Sequence, residues 1–171
     1  MNDPAFFGYG SLVNLKTHDY QAPERTQVTG WRRIWRSTTH HDFATLSVTR
    51  DVATTLQGIK AKVPNADWSA LDKRECFYDR QRLSDGTAIY EVTENIITPP
   101  DGPSPILRSY LDVVVQGYLA EFGPEGAAAF FATTDNWGPI HDDRKSPLYP
   151  RHQQLTAEET AFADAQLAAK M

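Results

Sequence analysis

Two segments of this chain hold residue types that can do chemistry together. In the first, Phe6 and Phe7 run into Gly8-Tyr9-Gly10-Ser11-Leu12. Apolar residues ahead of a glycine cluster predict a buried strand ending in a tight loop. Glycines let a ligand come close to the backbone. Such a turn can aim several N–H groups at one point, which suits a carboxylate or a developing oxyanion. The same pattern also serves plain hairpin chemistry. The second segment is Leu71-Asp72-Lys73-Arg74-Glu75-Cys76-Phe77-Tyr78. Glu75 is the candidate acid/base. A free glutamate titrates near ~4.3, and burial in a pocket raises that value toward the useful range. Judged on its helix alone, Glu75 is a solvated charge. Asp72, one turn earlier on a neighbouring face, reads as a structural hydrogen-bond partner and not as a second acid.

Taken together, the Tyr9-Gly10-Ser11-Leu12 loop and the Leu71-Asp72…Glu75 helix resemble the gamma-glutamylcyclotransferase-like family. Leu56-Gln57-Gly58-Ile59-Lys60-Ala61-Lys62-Val63 is similar to that family's glycine-bearing strand. Pro103-Ser104-Pro105, with Tyr110 and Gly117 after it, resembles its later helix. The resemblance spans residues 5–120. It implies an α+β fold, a compact mixed β-barrel flanked by helices, in one domain over residues 1–171. Residues 133–171 are then a family-variable C-terminal extension.

The implied activity is cyclisation of a γ-glutamyl amide to 5-oxoproline, with release of an amine or amino acid. Glu75 would be the catalytic residue. Tyr9, Gly10, Ser11 and Leu12 would hold the substrate, with Tyr110 over the cavity; for Tyr110, packing on a core-facing helix is the alternative. Many family members carry a small residue after the glutamate, whereas this chain has Cys76-Phe77-Tyr78. That bulk leaves the substrate's size open. Two other functions stay on the table: a non-catalytic module binding a small metabolite, and a hydrolase using Glu75 with Asp72 on water.

Several other residues invite functional readings. Cys76 is the only cysteine, so no intramolecular disulfide and no zinc-type pattern exist. As a nucleophile it lacks an identifiable His partner. His40-His41-Asp42 resembles a metal pair, but adjacent residues on a strand point to opposite faces. Arg32, Arg33 and Arg36 alternate with Trp31 and Trp35, which predicts a strand with a solvated basic face rather than a nucleic-acid patch. Arg80 is expected to pair on a strand surface. Residues 137–151 are polar, aromatic and proline-rich. They read either as a lid, with Arg144 or Arg151 meeting a substrate carboxylate, or as an ordered tail wrapping the core.

The elements that must position these groups follow from pattern. Residues 5–9, 28–38, 44–49 and 56–63 are predicted strands. Asn65 or Asp67 caps a short helix ending near Glu75. Residues 78–83 and 88–92 form a hairpin around Asp85-Gly86. A breaker at 99–103 precedes a helix over 104–122, with Ser104 as its N-cap and Pro105 at N1. Gly123-Pro124 stops it, and a second helix covers 125–132. Residues 133–155 read as irregular. Thr156-Ala157-Glu158-Glu159 is a capping box for a last helix to about residue 170. Strands first and helices later argue α+β.

Bulk properties exclude several classes. At 171 residues with 40% hydrophobic and 23% charged residues, the chain can bury a real core. A formal charge of −5 disfavours non-specific nucleic-acid binding. Met1-Asn2-Asp3-Pro4 has no basic n-region, and the apolar run after it is too short for a signal peptide or membrane span. The expectation is a cytoplasmic enzyme with a small-molecule γ-glutamyl substrate, no nucleic-acid or membrane partner and no cofactor. Neither a Walker loop nor a Rossmann fingerprint is present, and the oligomeric state is unknown.

Overall fold

The computed structural model describes residues 2–98 and 103–171. Its centre is β1 (Ala5–Gly8), apolar and buried from Phe6 to Gly8. On one side β1 pairs antiparallel with β3 (His41–Lys62), Gly8 facing Ile59. On the other it pairs parallel with β5 (Ala88–Val92), Phe7 beside Ile89. Gly58 is required at this crossing: a Cβ there would lie 2.3 Å from the Gly8 carbonyl oxygen and 2.6 Å from Phe7 Cζ.

β2 (Gln21–Thr38) forms a long hairpin with β3, β4 (Tyr78–Arg82) flanks β5, and β7 (Thr134–Asp135) flanks β2. The order is β4-β5-β1-β3-β2-β7. β1 runs parallel to β5 and antiparallel to β4, so the chain leaves β1 at the sheet end where it enters β4. Topology therefore brings the 9–12 turn and Glu75 to one end.

This sheet is not closed, and the expected barrel is corrected to an open, curled sheet. A barrel needs a backbone ladder between its two edges. Here β4 and β7 stay apart among the described residues. The sheet curls through an antiparallel backbone bridge between Thr38 and Ile97, and through side chains that join β3 to β4 and β5. The Val92 N–H donates to Ser47 Oγ at 2.9 Å, and the Tyr78 hydroxyl donates to the Leu46 carbonyl at 2.7 Å.

The two strands expected at 44–49 and 56–63 are one strand. Its register slips between Thr29/Thr55 and Gly30/Asp51, and the extra residues bulge outward. Asp51 stabilises the bulge by accepting from the Ala53 N–H and the Thr54 hydroxyl.

α1 (Ser69–Arg74) is a short helix, entered through Asp67, which accepts from the Ser69 N–H at 3.1 Å. The long α2 (Arg108–Ala132) breaks at Gly123 (φ 70°), ahead of Pro124, as the sequence predicts. Its start differs from the prediction. Residues 106–107 are drawn out as β6 (Ile106–Leu107) against β8 (Ile140–His141). The Pro105 carbonyl accepts from the Ala44 N–H, and the Ile106 N–H donates to the Pro139 carbonyl, both at 2.8 Å. Ser104 therefore caps nothing. Asp143 does that work from a distant loop, accepting from the Ser109 N–H at 2.8 Å. The helix α3 (Ala157–Lys170) opens on the predicted capping box, Thr156 with Glu159.

The core lies between the sheet and α2 and includes Phe6, Phe7, Trp35, Leu46, Tyr118 and Phe130. Among the described residues no helix is long and apolar enough to cross a membrane. The breaker residues 99–102 lie outside the described residues.

Candidate active site

After β1 the chain turns through Tyr9 and Gly10 into one turn of 3-10 helix, Ser11–Val13. The Val13 N–H donates to the Gly10 carbonyl and the Asn14 N–H to the Ser11 carbonyl, each at 3.0 Å. The first N–H groups of a helical turn have no partner inside it. The turn is fixed from below by Arg33. That residue is 1% exposed, which corrects the expectation of a wholly solvated basic face. Side chains alternate across a strand, so Arg33 shares the core face with Trp31 and Trp35.

The Arg33 guanidinium donates to the Tyr9 carbonyl at 2.7 Å, the Gln57 carbonyl at 3.1 Å, the Thr133 hydroxyl at 2.7 Å and the Tyr118 hydroxyl. Its Cζ lies 4.9 Å from the ring centres of both Tyr118 and Phe130. Arg32 points the other way and pairs with Asp135 at 2.7 Å.

Glu75 sits at the C-terminal end of α1. Its backbone is held on both sides: the N–H donates to the Leu71 carbonyl at 2.9 Å, and the carbonyl accepts from the Tyr78 N–H at 3.0 Å. The side chain is 13% exposed. Burial pushes its carboxyl above the usual glutamate value, and the positive charges of Arg74 and Arg151 pull it part of the way back. Arg74 Nε lies 3.5 Å from Glu75 Oε1. The same guanidinium donates to the Thr17 carbonyl and hydroxyl, each at 3.0 Å, and to the Ser11 hydroxyl at 3.2 Å. Arg74 thus links the turn to the carboxyl.

Tyr110 crosses above the turn from the first turn of α2. Its hydroxyl would lie 2.8 Å from a Cβ placed on Gly10. Burial raises its pKa well above that of a free phenol, so the hydroxyl stays neutral.

These groups line two connected spaces. The inner one, of about 30 Å³, is bounded by residues 7–12 with Leu46, Glu75, Tyr78, Tyr90 and Tyr110. The outer cleft, of about 530 Å³, begins at Ser11, Leu46, Glu75, Tyr78 and Tyr110 and runs out to residues 148–151. A neutral hydroxyl, a turn whose first N–H groups have no partner within it and a carboxyl of raised pKa therefore meet at one junction. That set can bind an acyl oxygen and move a proton beside it.

Solved structures share this architecture. YkqA from Bacillus subtilis superposes with a TM-score of 0.63 and 19% identity over 82% of this chain, which spans 57% of YkqA. A protein named gamma-glutamyl cyclotransferase gives 0.58 and 12% identity, covering 95% of this chain and 99% of that one. The Homo sapiens protein loc79017 gives 0.61 and 11%, over 96% and 99%. No protein-family model and no curated protein matches the sequence.

The chain has the gamma-glutamyl cyclotransferase-like fold.

Within this fold the predicted residues Tyr9, Gly10, Ser11, Leu12, Glu75 and Tyr110 all line the inner space. Asp72 does not join them. It accepts from the Tyr90 hydroxyl at 2.7 Å and pairs with Arg80 at 3.2 Å, on the strand side of α1. His40 and His41 lie against the Phe77 ring, each 4.8 Å from its centre.

The 137–151 segment divides. Arg144 is held by Asp112 at 2.7 Å and Asp164 at 2.9 Å, a network that also takes in Arg108. Residues 148–151 border the outer cleft, and Tyr149 meets Tyr110 edge-on at 5.0 Å. Sequence reasoning missed Arg74 and Arg33. The signal for Arg33 was present in its parity with Trp31 and Trp35; for Arg74, adjacency to Glu75 was the only hint.

Proposed function

We propose that this protein cyclises a γ-glutamyl amide, forming 5-oxoproline and releasing the amine portion. The observation that carries this reading is the buried, raised carboxyl of Glu75 in one small cavity with the 9–12 turn and Tyr110. The substrate's α-amine attacks its own γ-carbonyl carbon. A C–N bond closes the five-membered lactam, and the original amide C–N bond breaks. Because the attack is intramolecular, holding the substrate folded removes much of the entropic barrier. The turn's N–H groups receive the negative charge that develops on the γ-carbonyl oxygen.

Glu75 enters ionised, takes a proton from the attacking nitrogen and returns it to the departing nitrogen, which cannot leave as an amide anion. The second ammonium proton exchanges with solvent. Burial suits Glu75 to both transfers, because a carboxyl of raised pKa holds a proton longer than a free one. Tyr110, kept neutral, can orient the substrate without competing for the proton. No step calls for a metal or cofactor. The test is 5-oxoproline release, read by mass spectrometry over a panel of γ-glutamyl amides, with wild type and Glu75→Gln side by side. Release by the wild type alone is expected, and equal release by both would refute the role of Glu75.

A further inference from the structure

The outer cleft has a composition of its own. The apolar part of its wall comes from separate stretches of chain: Phe43 on β3, Phe77 after Glu75, Leu107 ahead of α2, and Leu148 with Pro150 from the C-terminal strap. Phe77 is held in place, stacked on His40 and met edge-on by His41. Leu148 is 52% exposed at the rim, so apolar surface faces water there until something covers it. Two guanidinium groups line the cleft. Arg74 is engaged by Thr17, Ser11 and Glu75. Arg151 has no ion-pair or side-chain hydrogen-bond partner among the described residues. It borders the outer cleft and not the inner space.

We propose that Phe77 and Arg151 set the specificity for the departing amine portion: Phe77 takes an apolar side chain on it, and Arg151 takes its carboxylate. The departing portion is then a single apolar α-amino acid. This assignment rests on the cyclotransferase reading above. Glu75 lines both spaces, so the scissile nitrogen belongs at the junction. The γ-glutamyl portion must present its carbonyl to the 9–12 turn and lies inward; whatever leaves must lie outward.

An amine without a carboxylate would leave Arg151 unmatched, although a guanidinium's two-pronged fit to a carboxylate is its best use. A dipeptide would press an extra N–H and C=O against the phenyl and aliphatic wall, where burying a peptide group without a partner is costly. A glycine leaving group would leave Phe77 and Leu148 uncovered.

The experiment compares γ-glutamyl-phenylalanine, γ-glutamyl-glycine and γ-glutamyl-phenethylamide, which keeps the ring and lacks the carboxylate. The readout is 5-oxoproline release by wild type, Arg151→Gln and Phe77→Ser. In the wild type, γ-glutamyl-phenylalanine should exceed each of the other two by about tenfold or more in kcat/KM, the scale on which pockets discriminate side chains. Arg151→Gln should bring it down to the level of the phenethylamide. Phe77→Ser should bring it down toward the glycine compound.

Release of 5-oxoproline with no such preference would overturn this assignment and leave the cyclotransferase reading standing. Release from other members of the γ-glutamyl panel but from none of these three would also overturn this assignment, and release from no member of the panel would remove the cyclotransferase reading. Calorimetric titration of the same compounds into Glu75→Gln protein tests the cleft separately, since binding needs no turnover. Tighter binding of γ-glutamyl-phenylalanine that is lost on adding Arg151→Gln supports the assignment, and equal affinities overturn it.

Discussion

Replacing Glu75 with Gln separates the chemistry of the site from its architecture. Gln fills the same volume and keeps an oxygen for Arg74, whose Nε lies 3.5 Å from Glu75 Oε1. The other partners of Arg74 on Thr17 and Ser11 are untouched, so the link to the turn survives. What disappears is the titrating proton. Loss of general acid–base catalysis is worth about 10²–10⁴ in rate, or roughly 2.7–5.5 kcal/mol of barrier.

The same substitution has a stability signature with a definite sign. Burial raises the Glu75 carboxyl, so the folded protein holds that proton more tightly than the unfolded chain does. The associated stability is fully present below the unfolded value, about 4.3, and is lost as pH rises through the higher folded value. Gln cannot ionise. Glu75→Gln should therefore unfold at a higher temperature than wild type at pH 7, with the gap closing on acidification toward pH 4. In wild type, activity should fall on acidification at a pH above that of an ordinary glutamate. Thermal melts across pH, beside 5-oxoproline release, check both. A folded Glu75→Gln protein that is as active as wild type, or no more stable at pH 7, would refute the reasoning.

Other perturbations bear on the parts around Glu75. Gly10→Ala places a Cβ 2.8 Å from the Tyr110 hydroxyl, which must move; a displacement of ~1 Å in such a site can cost about 10²-fold in kcat/KM, read in the release assay. Arg33→Met leaves the Tyr118 hydroxyl, which lies 3.0 Å from the Tyr9 carbonyl and 2.7 Å from the Gln57 carbonyl, to serve the two with one proton; the carbonyl left over costs about 1–3 kcal/mol, and stability in urea should fall accordingly. Arg33→Lys keeps the charge without the fork, so it should recover part of that stability while kcat falls more than KM rises. Thr156→Ala removes the cap of α3 and should cost about 1 kcal/mol in urea melts with no change in 5-oxoproline release.

What the sequence made legible was local. The 9–12 turn, the Asp85-Gly86 hairpin, the break at Gly123-Pro124 and the Thr156 capping box each depend on residues within a few positions. The short-range physics of glycine, proline and caps decides them. Glu75 was readable only in combination, because a charge at a helix end gains meaning from what it faces. The failures lie where distant chain decides the outcome. Ser104-Pro105 has the chemistry of a helix start, yet Pro139 and Ala44 capture the backbone of residues 105–106 and hold it extended. The open sheet was hidden for the same reason, since its curl depends on contacts far apart in sequence, Thr38 with Ile97, Ser47 with Val92 and Tyr78 with Leu46.

Arg33 shows how such a distant decision can serve the site. Three arginines in and beside an alternating tryptophan strand look alike in sequence, but only Arg33 meets the Tyr118 and Phe130 rings brought in by α2. Its acceptors are carbonyl and hydroxyl oxygens, and no carboxylate among the described residues pairs with it. The buried charge is therefore solvated by dipoles without being cancelled. One of those dipoles is the Tyr9 carbonyl. In a trans peptide the N–H points opposite to the C=O, so fixing that carbonyl on Arg33 directs the Gly10 N–H away from the core. A cation on the carbonyl also polarises the peptide and strengthens its N–H as a donor. A carboxylate partner would hold Arg33 just as firmly but would cancel the field at the turn. Neutral acceptors keep both the rigidity and the field, and an oxyanion forming against the turn would draw on both.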